Sequence, residues 1–140
     1  EEEYLVPLGR AVVKREGSDI TIVSWGWHLQ QSIQAADRLA NDGIQAEVVD
    51  LRTLIPLDEE TILKSVEKTG RLLVVQEAPA PGGFASEIVS LVCEKAIEYL
   101  EAAPVRVTAP FCPIPCGTTL EIYVVPQVDD IVWATKNMCQ

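Results

Sequence analysis

Short β-branched apolar runs alternate along this chain with longer stretches whose apolar residues recur every three or four positions, and that alternation restricts the fold more than any other feature. Asp19-Ile20-Thr21-Ile22-Val23-Ser24-Trp25 is such a run, closed by Gly26. Leu29, Ile33, Ala36 and Leu39 follow at helical spacing and end in Asn41-Asp42-Gly43, a helix stop. Ala46-Glu47-Val48-Val49-Asp50-Leu51 reads as a second strand. After Pro56, residues 58–66 read as a helix with Asp58 as N-cap and acidic residues in the first turn, where the helix dipole favours them; Gly70 ends it. Arg71-Leu72-Leu73-Val74-Val75-Gln76-Glu77 is the third strand. Residues 84–100 then read as one long amphipathic helix through Ile88, Leu91, Val92, Ala96 and Leu100. Pro104-Val105-Arg106-Val107-Thr108 is the fourth strand, and Val128, Ile131, Val132 and Thr135 mark a closing helix.

Parallel strands need a crossover of about a dozen residues or more, and the helical stretches supply it. The expected fold is therefore α/β: a three-layer αβα domain around a mostly parallel sheet of about five strands. Residues 8–15 lie too close to the Asp19 run for a crossover, so they are expected to form an extra strand or arm at an antiparallel edge. A chain of 140 residues, 48% apolar, fills one such domain and leaves little room for a second.

The net charge of −10 argues against binding a nucleic-acid backbone, which needs clustered Lys and Arg, and favours a basic partner. No apolar run approaches the roughly 20 residues of a membrane helix, and the opening Glu1-Glu2-Glu3-Tyr4 has the opposite charge to a signal peptide. Cys112 and Cys116 flank Pro113-Ile114-Pro115, which is neither a zinc-knuckle nor a redox spacing; Cys93 and Cys139 stand apart, and a reducing compartment suits all four.

Candidate functional residues are few. Trp25-Gly26-Trp27-His28 lacks the spaced glycines of a dinucleotide loop. Pro81-Gly82-Gly83-Phe84 precedes the long helix, where free N–H groups offer a pocket for an anion, or it is a flexible turn. Glu77 ends a strand on the side where open α/β sheets bind ligands, and is the best candidate carboxylate, with an ion pair or a loop cap as its plainer role. His28 is the sole imidazole and has no nucleophile pattern around it, so a structural hydrogen bond at a helix start is expected. Trp25, Trp27 and Phe84 are expected to gather near the strand ends. No catalytic, cofactor or metal residue is assigned.

Several motifs carry a family resemblance. Pro7-Leu8-Gly9-Arg10-Ala11, residues 15–26, residues 46–58, Lys68-Thr69-Gly70-Arg71, Glu77-Ala78-Pro79, Gly82-Gly83-Phe84, residues 103–108 and Leu120-Glu121 together span nearly the whole chain. They resemble the C-terminal domain of the β subunit of thiamine-diphosphate-dependent 2-oxoacid dehydrogenases, the group of pyruvate, branched-chain 2-oxoacid and acetoin dehydrogenases, with transketolase as a more distant version. Gln76 departs from that pattern, which often has His or Glu there.

The resemblance implies an assembly domain, inactive when isolated, within a fragment of a longer β subunit. In that family the α subunit and the preceding β-subunit domain hold thiamine diphosphate and magnesium, decarboxylate a 2-oxoacid and acylate a lipoyl group. The C-terminal domain pairs with a second β subunit and, in several members, docks the basic subunit-binding domain of the dihydrolipoyl acyltransferase. By resemblance Glu101 and residues 136–140 fall in the docking region. The implied location is the bacterial cytoplasm, or the mitochondrial matrix in a eukaryote. Two other readings stay open: the equivalent domain of a transketolase or deoxyxylulose-phosphate synthase, and a free-standing flavodoxin-like module using residues 82–84 to hold a small anion.

Overall fold

A computed structural model describes residues 5–139; residues 1–4 and Gln140, and the expectations that fall on them, lie outside the described residues. The elements are β1 (Val12–Arg15), β2 (Ile20–Ser24), α1 (Trp27–Asn41), β3 (Ala46–Asp50), α2 (Glu59–Thr69), β4 (Leu72–Pro79), α3 (Phe84–Lys95), β5 (Val105–Ala109), α4 (Thr118–Val124) and α5 (Val128–Met138). They form one five-stranded sheet of order β1-β3-β2-β4-β5. All neighbours are parallel except β1, which runs antiparallel to β3 at the edge, as expected for residues 8–15.

Strand alternation sends side chains to two cores. Ile20, Ile22, Ala46, Val48, Leu73 and Val75 face α1 and α5, where Ala36, Leu39 and Ile131 meet them. The intervening Val23, Val49, Leu72 and Val74 face α2 and α3, packing on Ile62, Val66, Ile88 and Val92. Both faces of the sheet are covered, which is why the strands read as continuous apolar runs rather than alternating ones.

α2 shows how local chemistry sets an element's limits. Asp58 accepts hydrogen bonds from the Thr61 amide (3.2 Å) and hydroxyl (2.8 Å), and Gly70 closes the helix in the left-handed region (φ 69°), its N–H reaching the Val66 carbonyl at 2.8 Å. Glu59 and Glu60 occupy the first turn and Lys68 the last, matching the helix dipole. Asp58 also accepts from the Ala11 amide at 2.9 Å, so one carboxylate caps α2 and ties down the segment entering β1.

Burial pushes the Asp58 carboxyl up, but hydrogen bonds from Thr61 and Ala11 outweigh it and hold the group below its ordinary value of 3.8. A carboxyl depressed in the folded state stabilises above its unfolded pKa, and that contribution is lost as pH falls through the folded value. Asp58→Ala is expected to lose about 2 kcal/mol at neutral pH, a cap plus one further bond. The difference from wild type should shrink below about pH 4 in urea titrations; an unchanged difference down to pH 2 would refute the assignment.

Two features differ from the sequence expectation. The helix expected over 84–100 stops at Lys95: Ala96 takes φ −147° and ψ 21°, and a 3₁₀ turn (Ile97–Tyr99) follows. Apolar periodicity continues across the break, since Ala96 and Leu100 still pack on the second core. Beyond the break the chain leaves the helix axis, and the Glu101 amide meets the Gly70 carbonyl at 2.8 Å. The second difference is α4, which buries none of its residues and so has no apolar stripe to announce it.

The strand order places one feature of functional interest. From β2 the chain passes through α1 to β3 on one side, then returns through α2 to β4 on the other. Strand order thus reverses between β2 and β4, and the carboxyl ends of those strands open a crevice where α/β folds characteristically hold ligands.

Candidate functional site

Three clefts lie near the strand carboxyl ends, and one of them brings the sequence candidates Glu77 and Phe84 together beside Trp25, Gln76 and Ile114. The first, of about 290 Å³, is lined by Trp27, Glu77, Thr118, Glu121, Ile122 and Val125. Trp27 begins α1 directly after β2, Glu77 is near the end of β4, and α4 forms the far wall. Among the described residues neither Glu77 nor Glu121 makes an ion pair. The cleft therefore presents two unpaired carboxylates beside a half-exposed indole.

His28 stands behind this wall. It is 2% exposed, and its ring meets Trp27 edge to face at 5.0 Å. Nε2 has no hydrogen-bond partner among the described residues. Burial lowers the imidazole pKa against the opposing pull of Glu77 and the Pro126 carbonyl, so the ring is neutral at pH 7 and does not serve Glu77 as a cation. The ring sits at the start of α1 as expected, but its contact is the packing on Trp27 rather than a hydrogen bond of good geometry.

The second cleft contains Gly82, Gly83 and Phe84 together with Leu57, Glu59 and Glu87. Its helix terminus is already occupied. Gln76, 1% exposed within β4, accepts from the Ala85 amide at 2.7 Å and donates to the Ala78 (2.9 Å) and Pro79 (3.1 Å) carbonyls. Gly83 is the N-cap of α3, and a Cβ there would lie 1.9 Å from Gln76 Nε2. The glycine makes room for this amide plug, and with Glu59 and Glu87 nearby the cleft offers an anion little attraction.

The remaining sequence candidates separate. Trp25 and Phe84 pack edge to face at 6.1 Å, whereas Trp27 turns to His28, so the three aromatic residues do not form one patch. Glu101 lies by the amino-terminal end of β4, where Arg71 Nη2 meets its carboxylate at 2.9 Å; Arg71 also donates to the Asp19 and Met138 carbonyls. Its carboxylate is 61% exposed in that pair. The four cysteines are free thiols, with Cys112 and Cys116 exposed between β5 and α4. The α4 wall was absent from the sequence reading, although Thr118-Thr119-Leu120-Glu121 carries the Ser/Thr-x-x-Glu spacing of a helix start.

Comparison with known proteins adds identity to this geometry. Residues 9–131 match the family described as "Transketolase, C-terminal domain". The chain is 47% identical over 100% of its length to pyruvate dehydrogenase E1 component subunit beta of Bacillus subtilis (strain 168), covering 43% of that relative. It is 42% identical to acetoin:2,6-dichlorophenolindophenol oxidoreductase subunit beta of the same organism, over 99% of the chain and 40% of the relative. Among solved structures, a split-gene transketolase in an inactive β4 tetramer superposes with a TM-score of 0.82 at 28% identity, over 96% of this chain and 43% of that one. The chain thus spans about two fifths of the length of the curated relatives it matches.

Proposed function

Since this chain belongs to the transketolase C-terminal domain family, we propose that it is the C-terminal domain of the β subunit of a thiamine-diphosphate-dependent 2-oxoacid dehydrogenase, and that its work is assembly. The observation that carries this reading is the 47% identity held over 100% of the chain to a pyruvate dehydrogenase β subunit. The site supports it. Glu77, Glu121 and the neutral His28 include no nucleophile with an adjacent base, so this domain's own residues are suited to binding rather than to bond making. Thiamine diphosphate and magnesium belong, in this reading, to an α subunit and to the preceding part of the β subunit. The compartment is then the bacterial cytoplasm or the mitochondrial matrix.

A full-length polypeptide carrying this domain, co-expressed with its α partner, tests the assignment. The expected result is reduction of 2,6-dichlorophenolindophenol that depends on a 2-oxoacid and on added thiamine diphosphate and magnesium. Two-carbon transfer between sugar phosphates, with no 2-oxoacid oxidation, would overturn it and favour the transketolase reading, which the 0.82 TM-score to a split-gene transketolase keeps in view.

The assembly role includes a second β subunit and the basic subunit-binding domain of a dihydrolipoyl acyltransferase, for which Glu101 offers an exposed carboxylate. Glu101→Lys is expected to weaken that docking about tenfold in calorimetry while costing about 1 kcal/mol of stability, since the Glu101 side of its pair with Arg71 is 61% exposed. An unchanged dissociation constant would remove Glu101 from the interface.

A further inference from the structure

The crevice between the carboxyl ends of β2 and β4 has properties that the assembly reading does not itself require. Its walls hold Glu77 and Glu121, which make no ion pair among the described residues, with Trp27 beside them at 50% exposure. At about 290 Å³ it lies at the small end of the range of ligand pockets and has room for one long side chain. An indole face and carboxylates together favour a cation on an aliphatic stem, because the ring quadrupole and the acidic groups both attract positive charge and the stem covers apolar wall.

The surroundings of the crevice point to a polypeptide as the carrier of that cation. α4 buries no residue, and leaves Leu120 at 60%, Ile122 at 49% and Tyr123 at 83% exposure, with Phe111 at 79% in the preceding loop. A helix with exposed apolar residues around an acidic crevice has the anatomy of a protein interface: an apolar surround and a pocket for one anchoring side chain. The buried His28 does not serve as that cation from within, because burial lowers its pKa and disfavours the charged ring, and its Nε2 is left without a partner.

We propose that this crevice receives an arginine or lysine side chain from a partner subunit, inserted between Glu77 and Glu121 against Trp27, with apolar residues of the same partner segment covering α4. The inference rests on the assembly reading and sharpens it to one site and one partner chemistry. It also places this contact away from Glu101, which pairs with Arg71 near the amino-terminal end of β4.

The test uses the full-length subunit and its co-expressed partner. Glu121→Lys, on the exposed face of α4, is expected to raise the dissociation constant of the complex at least about tenfold, and Glu121→Gln by a smaller factor. Circular dichroism of each variant should match the wild type. Hydroxyl-radical footprinting should show Trp27 and Tyr123 oxidised in the free subunit and protected in the complex. Unchanged affinity of Glu121→Lys together with equal Trp27 oxidation in both states would overturn the proposal while leaving the assembly reading intact. Absence of any complex with the wild-type subunit would overturn both. Protection of Trp27 already present in the free full-length subunit would assign the crevice to the subunit's own preceding segment or to a second copy. Protection by millimolar agmatine but not by the partner would assign it to a free organic amine. Either of those last results overturns the proposal.

Discussion

Lys68→Met is expected to destabilise the domain by about 3 kcal/mol, in the lower part of the range for breaking a buried ion pair. Glu47, on β3, has a side chain only 2% exposed, and the Lys68 ammonium forms a very short contact with it while also meeting Glu16 at 2.9 Å. Beneath this pair Ser65 donates to Glu47 at 2.6 Å, and the hydroxyls of Ser65 and Thr69 each lie 2.7 Å from that of Thr21 on β2. Removing the cation leaves a buried carboxylate with one hydroxyl at 2.6 Å and the Gly17 amide at 3.4 Å. Lys68 is 44% exposed, so water reaches the vacated position and keeps the loss from the top of the range.

The double variant Glu47→Gln/Lys68→Met should recover part of the loss, because the stranded charge is gone; urea denaturation of the four-member cycle reads the coupling directly. Hydrogen bonding to Glu47 raises the Lys68 pKa above 10.5, so its contribution is present at neutral pH and is lost only as pH rises through that raised value. Additive single losses, with no coupling, would show that the pair is a surface contact.

Gly83→Ala should cost more than an ordinary loop substitution, about 2 to 3 kcal/mol. Its backbone (φ −77°, ψ 149°) is open to any residue, so the effect is steric: a Cβ would stand 1.9 Å from Gln76 Nε2 and 2.5 Å from the Pro79 carbonyl. Either Gln76 is expelled, stranding the buried Ala85 amide at about 1–3 kcal/mol, or the α3 entry shifts with overpacking of similar size. Combining Gly83→Ala with Gln76→Ala should give less than the sum of the single losses, since the clash and the lost cap are the same event. Gly82→Ala separates packing from backbone freedom. Nothing lies within 4 Å of a Cβ there, but φ is 73°, so it should cost only the ordinary left-handed penalty of about 1–2 kcal/mol. Equal thermal shifts for the two glycine variants would show that the amide plug is unimportant.

Much of the fold was legible because both faces of the sheet are buried. β2, β3 and β4 read as apolar runs for that reason, and α1, α2 and α5 carried periodic faces with recognisable ends such as Asp58 and Gly70. The antiparallel edge was readable from chain length alone, since residues 8–15 leave no crossover before β2. α4 was missed because its apolar residues, Leu120, Ile122 and Tyr123, face outward and follow no buried stripe. The break at Ala96 was missed because the periodicity of Leu91, Val92, Ala96 and Leu100 outlasts the helix; the hydrogen bond from Glu101 to Gly70 that follows it joins residues 31 positions apart.

The candidate site divides the same way. Glu77 could be nominated from its place at a strand's carboxyl end, and Gly82-Gly83 from its turn chemistry. Their roles could not, because Gln76 reaching Ala85 across the turn and α4 closing over Trp27 and Glu77 are contacts between segments distant along the chain.

By itself the sequence determined the αβα class, the helix ends marked by caps such as Asp58 and Gly70, and the family, since these depend on residue type and local spacing. Only tertiary structure decided that Gly83 accommodates an amide plug, that Lys68 neutralises a buried Glu47, that Glu101 holds Arg71, and that two unpaired carboxylates converge beside an indole. Each of those depends on a side chain's distance to residues remote in sequence, and burial sets the strength of such interactions only after the layers have packed.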